Sequence, residues 1–134
     1  MRLFTPDEAN AALVDLRPLA ERLVRERREL AAVAGDLRRV QAVVAGNGGR
    51  VDHRRLARLR AAAERGAAAI AGLVEEIDAL GAELKDPDRG LLDFPARHPG
   101  TGETVLLCWE LGEAEVEHWH GLEEGFAGRK RLPF

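Results

Sequence analysis

Two runs of apolar residues at seven-residue spacing, parted by one glycine-rich break, constrain this chain more than anything else in it. Leu16, Leu23, Leu30, Leu37 and Val44 form the first run, with Leu19, Val33 and Val40 filling positions three further on. Leu56, Ala63, Ile70, Ile77 and Leu84 form the second, with Leu59, Leu73 and Leu80 between them. That period puts one face of each segment on a common seam, breached by Glu26 in the first and Gly66 in the second. Gly46-Asn47-Gly48-Gly49 stops the first helix, because glycine tolerates the left-handed backbone of a helix end and four such residues do not continue a helix cheaply. A short loop between long helices makes them antiparallel neighbours. Counting back from the loop sets Gly66 near Leu30, where a missing side chain lets two backbones approach or leaves room for a third element.

The spacing predicts helix 1 over 5–45 and helix 2 over 52–84. Thr5 caps the first turn, Pro6 suits its opening position, Glu8 completes a capping box and Phe4 can staple onto the turn ahead. Pro18 deletes one backbone hydrogen bond and should bend the helix, giving a short segment 6–17 joined at an angle to 18–45. Asp52 is the expected cap of the second helix. The long segments 18–45 and 52–84 make a thin hairpin, about 42 and 50 Å along at 1.5 Å per residue. Its alanine-rich flanks call for a cover. The expectation is a homodimer through the helices, forming a four-helix bundle at the distal end, with the C-terminal third covering the rest; the alternative is a monomer whose alanine faces are high-propensity solvent surface.

Residues 85–134 hold the unusual chemistry: the single Cys, both Trp residues and three of the four His residues. Lys85-Asp86-Pro87-Asp88-Arg89-Gly90 is a turn-rich break. Leu91 to Arg97 and Glu103 to Leu111 then read as a β-hairpin, with Val105, Leu107 and Trp109 on one face and Pro95 marking an edge. Glu113 to Glu124 reads as a short helix with a poor apolar stripe. The fold class is thus mainly α with a small β-hairpin: one 134-residue domain, a long helical hairpin capped by the hairpin, short helix and tail.

Composition narrows function mainly by exclusion. Basic and acidic residues, 20 and 23, are intermixed at a formal charge of −3, which predicts neither nucleic acid nor a membrane surface as partner. No run of 18 apolar residues exists, and Asp7 and Glu8 stand where a signal peptide needs a positive flank, so the expected location is cytoplasmic. One cysteine excludes an internal disulfide.

Several stretches resemble the family catalogued as domain of unknown function 2203. They are Phe4-Thr5-x-x-Glu8-Ala9-Asn10, Lys85-Asp86, and Gly90-Leu91-x-Asp93-Phe94-Pro95-Ala96, followed by Leu107-Cys108-Trp109, Gly112-Glu113, Trp119-His120 and Gly125-Phe126-x-Gly128-Arg129. The likeness covers nearly the whole length. The family pattern often has proline at the position of Val14, whereas this chain has its proline at 18. The resemblance identifies kin and transfers no mechanism.

The x-His-Trp-His run at 117–120 invites a metal reading. In a strand His118 and His120 would share a face; in a helix only His120 would pair with Glu117 or Glu113. The expected ligands are His120, Glu113, Asp93 and Glu76, with Glu8 next, holding a divalent transition metal such as Zn, Fe, Mn or Ni between the hairpin base and the C-terminal cap. Glu117, His118, Trp109, Trp119, Cys108 and Arg129 stand as supporting residues, Arg129 bridging to Asp93 or Glu113. Cys108 reads as a small buried hydrophobe rather than a nucleophile, since the nearby carboxylates of Glu113, Glu115, Glu117 and Glu124 raise a thiol's pKa. Two alternatives stand beside metal or small-ligand binding: a structural protein docking a partner through the Trp109/Trp119 region, and a metal-dependent enzyme, ranked last because no water-activating base stands out.

Overall fold

The computed structural model describes residues 1–47 and 52–134. The capping box forms as read: Thr5 Oγ1 accepts from the Glu8 N–H at 3.1 Å, and Glu8 Oε1 accepts from the Thr5 N–H at 3.0 Å. It opens α1 (Pro6–Asn47), and Asp52 caps α2 (His53–Ala79) by accepting from the Arg55 N–H at 3.0 Å. The Gly48-Gly49 part of the expected stop and the side chain of Val44 lie outside the described residues.

Two expectations about the helices need correcting. The helix is not divided into 6–17 and 18–45; α1 runs unbroken through Pro18. Pro18 is exposed, while Leu16, Ala20 and Leu23 around it are buried, so packing on the far face carries the helix across one lost hydrogen bond. Nor does α2 reach residue 84. Gly81 takes a φ of +90° against the Phe4 ring and turns the chain, and Leu84 joins a strand instead. Gly66 does meet Leu30: a Cβ placed on it would lie 3.4 Å from Leu30 Cδ1.

The C-terminal region is a five-stranded antiparallel sheet, not a hairpin plus a short helix. Its strands are β1 (Glu83–Asp86), β2 (Leu91–Arg97), β3 (Thr104–Glu110), β4 (His118–Gly121) and β5 (Lys130–Arg131), in spatial order β1-β2-β3-β4-β5. The expected hairpin is β2–β3, with Leu92 opposite Trp109, Phe94 opposite Leu107 and Ala96 opposite Val105. β2 lies inside the sheet, but Pro95 falls past the last β1 pairing, and its carbonyl accepts instead from the Phe4 N–H at 2.7 Å. The predicted helix over 113–124 fails because its stripe is weak and His118-Trp119-His120 alternates with a period of two, which suits a strand.

The pleat sorts the side chains. Leu92, Phe94, Ala96, Val105, Leu107 and Trp109 pack with Leu13, Leu16, Leu23, Leu73 and Ile77 of the helices in one core. Asp93, Leu106, Cys108, His118 and His120 fall at the alternate positions, on the sheet face turned away from the helices. Trp109 is fully buried in the core, which removes it from any docking surface, and Trp119 packs against His98 and Phe134. Among the described residues no helix is long and apolar enough to cross a membrane.

Candidate metal centre

Strand register builds the polar cluster. Asp93 of β2 stands opposite Cys108 of β3, and Cys108 stands opposite His118 of β4. His120 is two residues on, hence on the same face, opposite Leu106. The imidazole reaches diagonally, so that His120 Nε2 lies 3.1 Å from Asp93 Oδ2. One donor atom from each of Asp93, Cys108 and His120 lies within 4.8 Å of the other two. All three residues are buried, at 2 %, 1 % and 3 % exposure.

The ring of His120 is fixed by its other nitrogen. Nδ1 lies 2.8 Å from the Gly121 carbonyl oxygen, which only accepts, so Nδ1 carries a proton. Nε2 is the nitrogen turned toward the carboxylate and thiol. Asp93 Oδ1 is buried without a hydrogen-bond partner among the described residues. Burial pushes the Asp93 carboxyl above its ordinary value, with His120 opposing the shift. The Cys108 thiol is pushed up to about 12, first by burial and then by the charge of Asp93. The four glutamates expected to do this are not the cause.

A second ring of contacts holds the C-terminal segment onto this face. Arg129 Nη1 donates to Glu113 Oε1 at 3.0 Å and lies 4.0 Å from Cys108 Sγ. Its guanidinium stacks on Phe126 at 4.0 Å, as does that of Arg89 at 4.3 Å. Glu113 Oε1 also accepts from the Glu110 N–H at 2.7 Å. Burial pushes the Glu113 carboxyl up, but Arg129 and the Glu110 N–H outweigh it and hold the group below its ordinary value. From the helix side, Arg17 donates to the carbonyls of Glu113 and Ala114 at 3.0 and 2.7 Å, and Asn10 Oδ1 accepts from the Val116 N–H at 2.7 Å.

Of the residues expected as ligands, the structure brings Asp93 and His120 together and adds Cys108. Glu113 stands one shell out as the partner of Arg129. Glu8 is engaged in the helix cap and Glu76 is exposed on α2, both in the layer across the sheet. His118 Nδ1 lies 3.6 Å from Glu113 Oε2, too far for a hydrogen bond. Glu117 pairs with Arg131 at 3.6 Å. Sequence reasoning missed Cys108 as a donor and Arg17 as the clamp on the 113–114 turn. The signal for Cys108 was present: pairing the hairpin by its apolar face sets it beside Asp93.

The donor set is one carboxylate, one sulfur and one imidazole. It can coordinate a divalent transition metal, and the unpartnered Asp93 Oδ1 is a further oxygen within the same cluster. The family model of the uncharacterized conserved protein DUF2203 matches residues 2–132. No curated protein and no solved structure matches the chain.

Proposed function

This chain belongs to the DUF2203 family, and we propose that it binds a divalent transition-metal ion through Asp93, Cys108 and His120. The observation that carries the reading is the commitment of His120 Nδ1 to the Gly121 carbonyl. Metal-bound imidazoles commonly donate their other N–H to such a carbonyl, which fixes the tautomer and leaves the lone pair on the ligating nitrogen. Here that nitrogen is aimed at a carboxylate with an unpartnered oxygen and at a thiol. A carboxylate and a thiolate together neutralise a divalent cation, so a buried site would then hold no net charge. Sulfur and imidazole favour Zn or Fe over Mn, which prefers an oxygen shell. The burial of all three side chains suits a structural ion better than one turned toward substrate. Because Cys108 must lose its proton to bind, uptake releases protons and weakens as pH falls.

The test is elemental analysis of protein purified without an affinity tag. About one equivalent of metal is expected, lost in His120→Ala and in Cys108→Ser. At 100-fold over its dissociation constant, the added ion should stabilise the fold by about 2.7 kcal/mol. Protein that carries no metal and shows no thermal shift with Zn or Fe salts would defeat the proposal.

A further inference from the structure

Arg129 reaches the polar cluster from outside the strands that build it. Asp93, Cys108 and His120 come from β2, β3 and β4, whereas Arg129 follows the single 3-10 turn Phe126–Gly128. Its Nη1 donates to Glu113 Oε1 at 3.0 Å and approaches Cys108 Sγ at 4.0 Å, so a nitrogen with two hydrogens stands between a carboxylate and a sulfur. The surrounding contacts fix that position. The guanidinium lies on the Phe126 ring, which Arg89 also meets, and Arg89 is paired with Glu110. Glu113 is pinned in turn: its carbonyl accepts from Trp109 Nε1 at 2.9 Å and from Arg17 at 3.0 Å, and its Oε1 accepts from the Glu110 N–H. Arg129 and Glu113 are largely buried, with side chains 17 % and 25 % exposed. The same segment is already fastened at the surface by the exposed pair of Lys130 and Glu124.

Given the metal reading above, on which this step depends, we propose that Arg129 is the positioning residue of the site, donating from Nη1 to the sulfur of Cys108 once that sulfur holds the ion. Uptake breaks the S–H bond, forms a sulfur–metal bond and passes the proton to solvent. The buried sulfur then carries negative charge. A charge-assisted hydrogen bond from a guanidinium spreads that charge and holds the sulfur in place. Glu113 offsets the guanidinium, so the donor arrives without adding net charge. That matters in a centre where a carboxylate, a thiolate and a divalent cation already balance. Hydrogen-bond partners that orient metal ligands in this way are typically worth about 10–100-fold in metal affinity.

Cobalt(II) is the probe, because its near-ultraviolet charge-transfer band reports a sulfur ligand directly. Added to the metal-free protein, it should produce that band through Cys108. In Arg129→Met the band should move to longer wavelength, since a sulfur without its hydrogen bond gives up charge more easily. Cobalt should also bind about 10–100-fold more weakly. Arg129→Gln, shorter and uncharged, carries the same expectation should the Met variant lose its helical circular dichroism. Lys130→Met, which cuts the surface pair with Glu124, should leave the band in place. Arg129 variants whose band and affinity match the unsubstituted protein overturn the proposal and leave the metal reading standing. An equal shift in Lys130→Met does the same, because it assigns the effect to a loosened segment. Unsubstituted protein without the band also overturns the proposal. Visible cobalt absorption would then show an ion held without sulfur, and no cobalt absorption at all would defeat the metal reading itself.

Discussion

The most direct measure of the cluster is the reactivity of Cys108 toward an aromatic disulfide reagent at pH 8. With its thiol pushed up to about 12, only about one molecule in ten thousand carries the thiolate, against about a quarter for a free thiol near 8.5. That is roughly a 2,000-fold deficit in the attacking form. A more basic thiolate is intrinsically more nucleophilic, and a Brønsted slope of about 0.45 over 3.5 units returns roughly 40-fold. Ionisation alone should therefore slow the native protein by about 60-fold relative to the unfolded chain, and 1 % exposure should slow it further. The assay is absorbance of the released thiolate, native against denatured, from pH 7 to 10. The metal-free native rate should climb about tenfold per unit across that range, since the thiol stays below its midpoint. A bound ion should hold the rate low even at pH 10, because it occupies the sulfur, and a chelator should restore the climb. A native rate within tenfold of the unfolded rate at pH 8 would refute the environment assigned to Cys108.

Two further predictions concern what holds the sheet and its cover. Gly90 has a φ of +64°, and a Cβ there would sit 2.8 Å from Leu111 Cβ, so Gly90→Ala should cost about 1–3 kcal/mol in denaturant unfolding. Gly102→Ala, at φ +74° with nothing within 4 Å, should cost only the backbone strain, about 1 kcal/mol; equal losses at the two sites would contradict the crowding at Gly90. Glu113 has a folded pKa below its unfolded one, so its contribution is present above the unfolded value of about 4.5 and is lost as pH falls through the folded value. Glu113→Gln should therefore cost about 1 kcal/mol near pH 7, with the gap to the unsubstituted protein closing as pH falls below the unfolded value; a gap independent of pH would exclude the ion pair as its cause.

The helical hairpin was legible because its signals agree at every level. Seven-residue spacing, a capping box and an Asp cap each name the same two helices, and even the approach of Gly66 to Leu30 follows from counting. The β2–β3 pair was legible from alternation and turn residues. The short strands were not. β1 continues the phase of the second seam through Leu80 and Leu84, and only the left-handed turn at Gly81 distinguishes strand from helix there. β4 and β5 have four and two residues; the alternation at His118-Trp119-His120 is too short to stand out from the helix reading, and the two strands form because β3 offers an edge to β4 and β4 offers one to β5. The candidate site shares this limit. Asp93 and His120 were chosen for their chemistry, whereas Cys108 in an apolar run looks like core packing until register sets it opposite the carboxylate.

The energetics of that register argue for a role beyond packing. One face of the sheet is apolar throughout its contact with the helices, and it alone supplies the core. The other face would be stable with three apolar side chains at 93, 108 and 120. It holds instead a carboxyl whose pKa burial raises, a thiol pushed up to about 12 and an imidazole at 3 % exposure. Asp93 Oδ1, without a hydrogen-bond partner among the described residues, costs about 1–3 kcal/mol by itself. Replacing a buried polar group of this kind with a well-packed apolar one is often neutral or stabilising. A cation bridging the same three side chains would turn that cost into binding energy, since it would satisfy the orphan oxygen and offset both negative charges at once. On this reasoning Asp93→Leu combined with His120→Leu should keep or raise metal-free stability while abolishing metal uptake. A double variant less stable than the metal-free unsubstituted protein would show the polar pair to be structural instead.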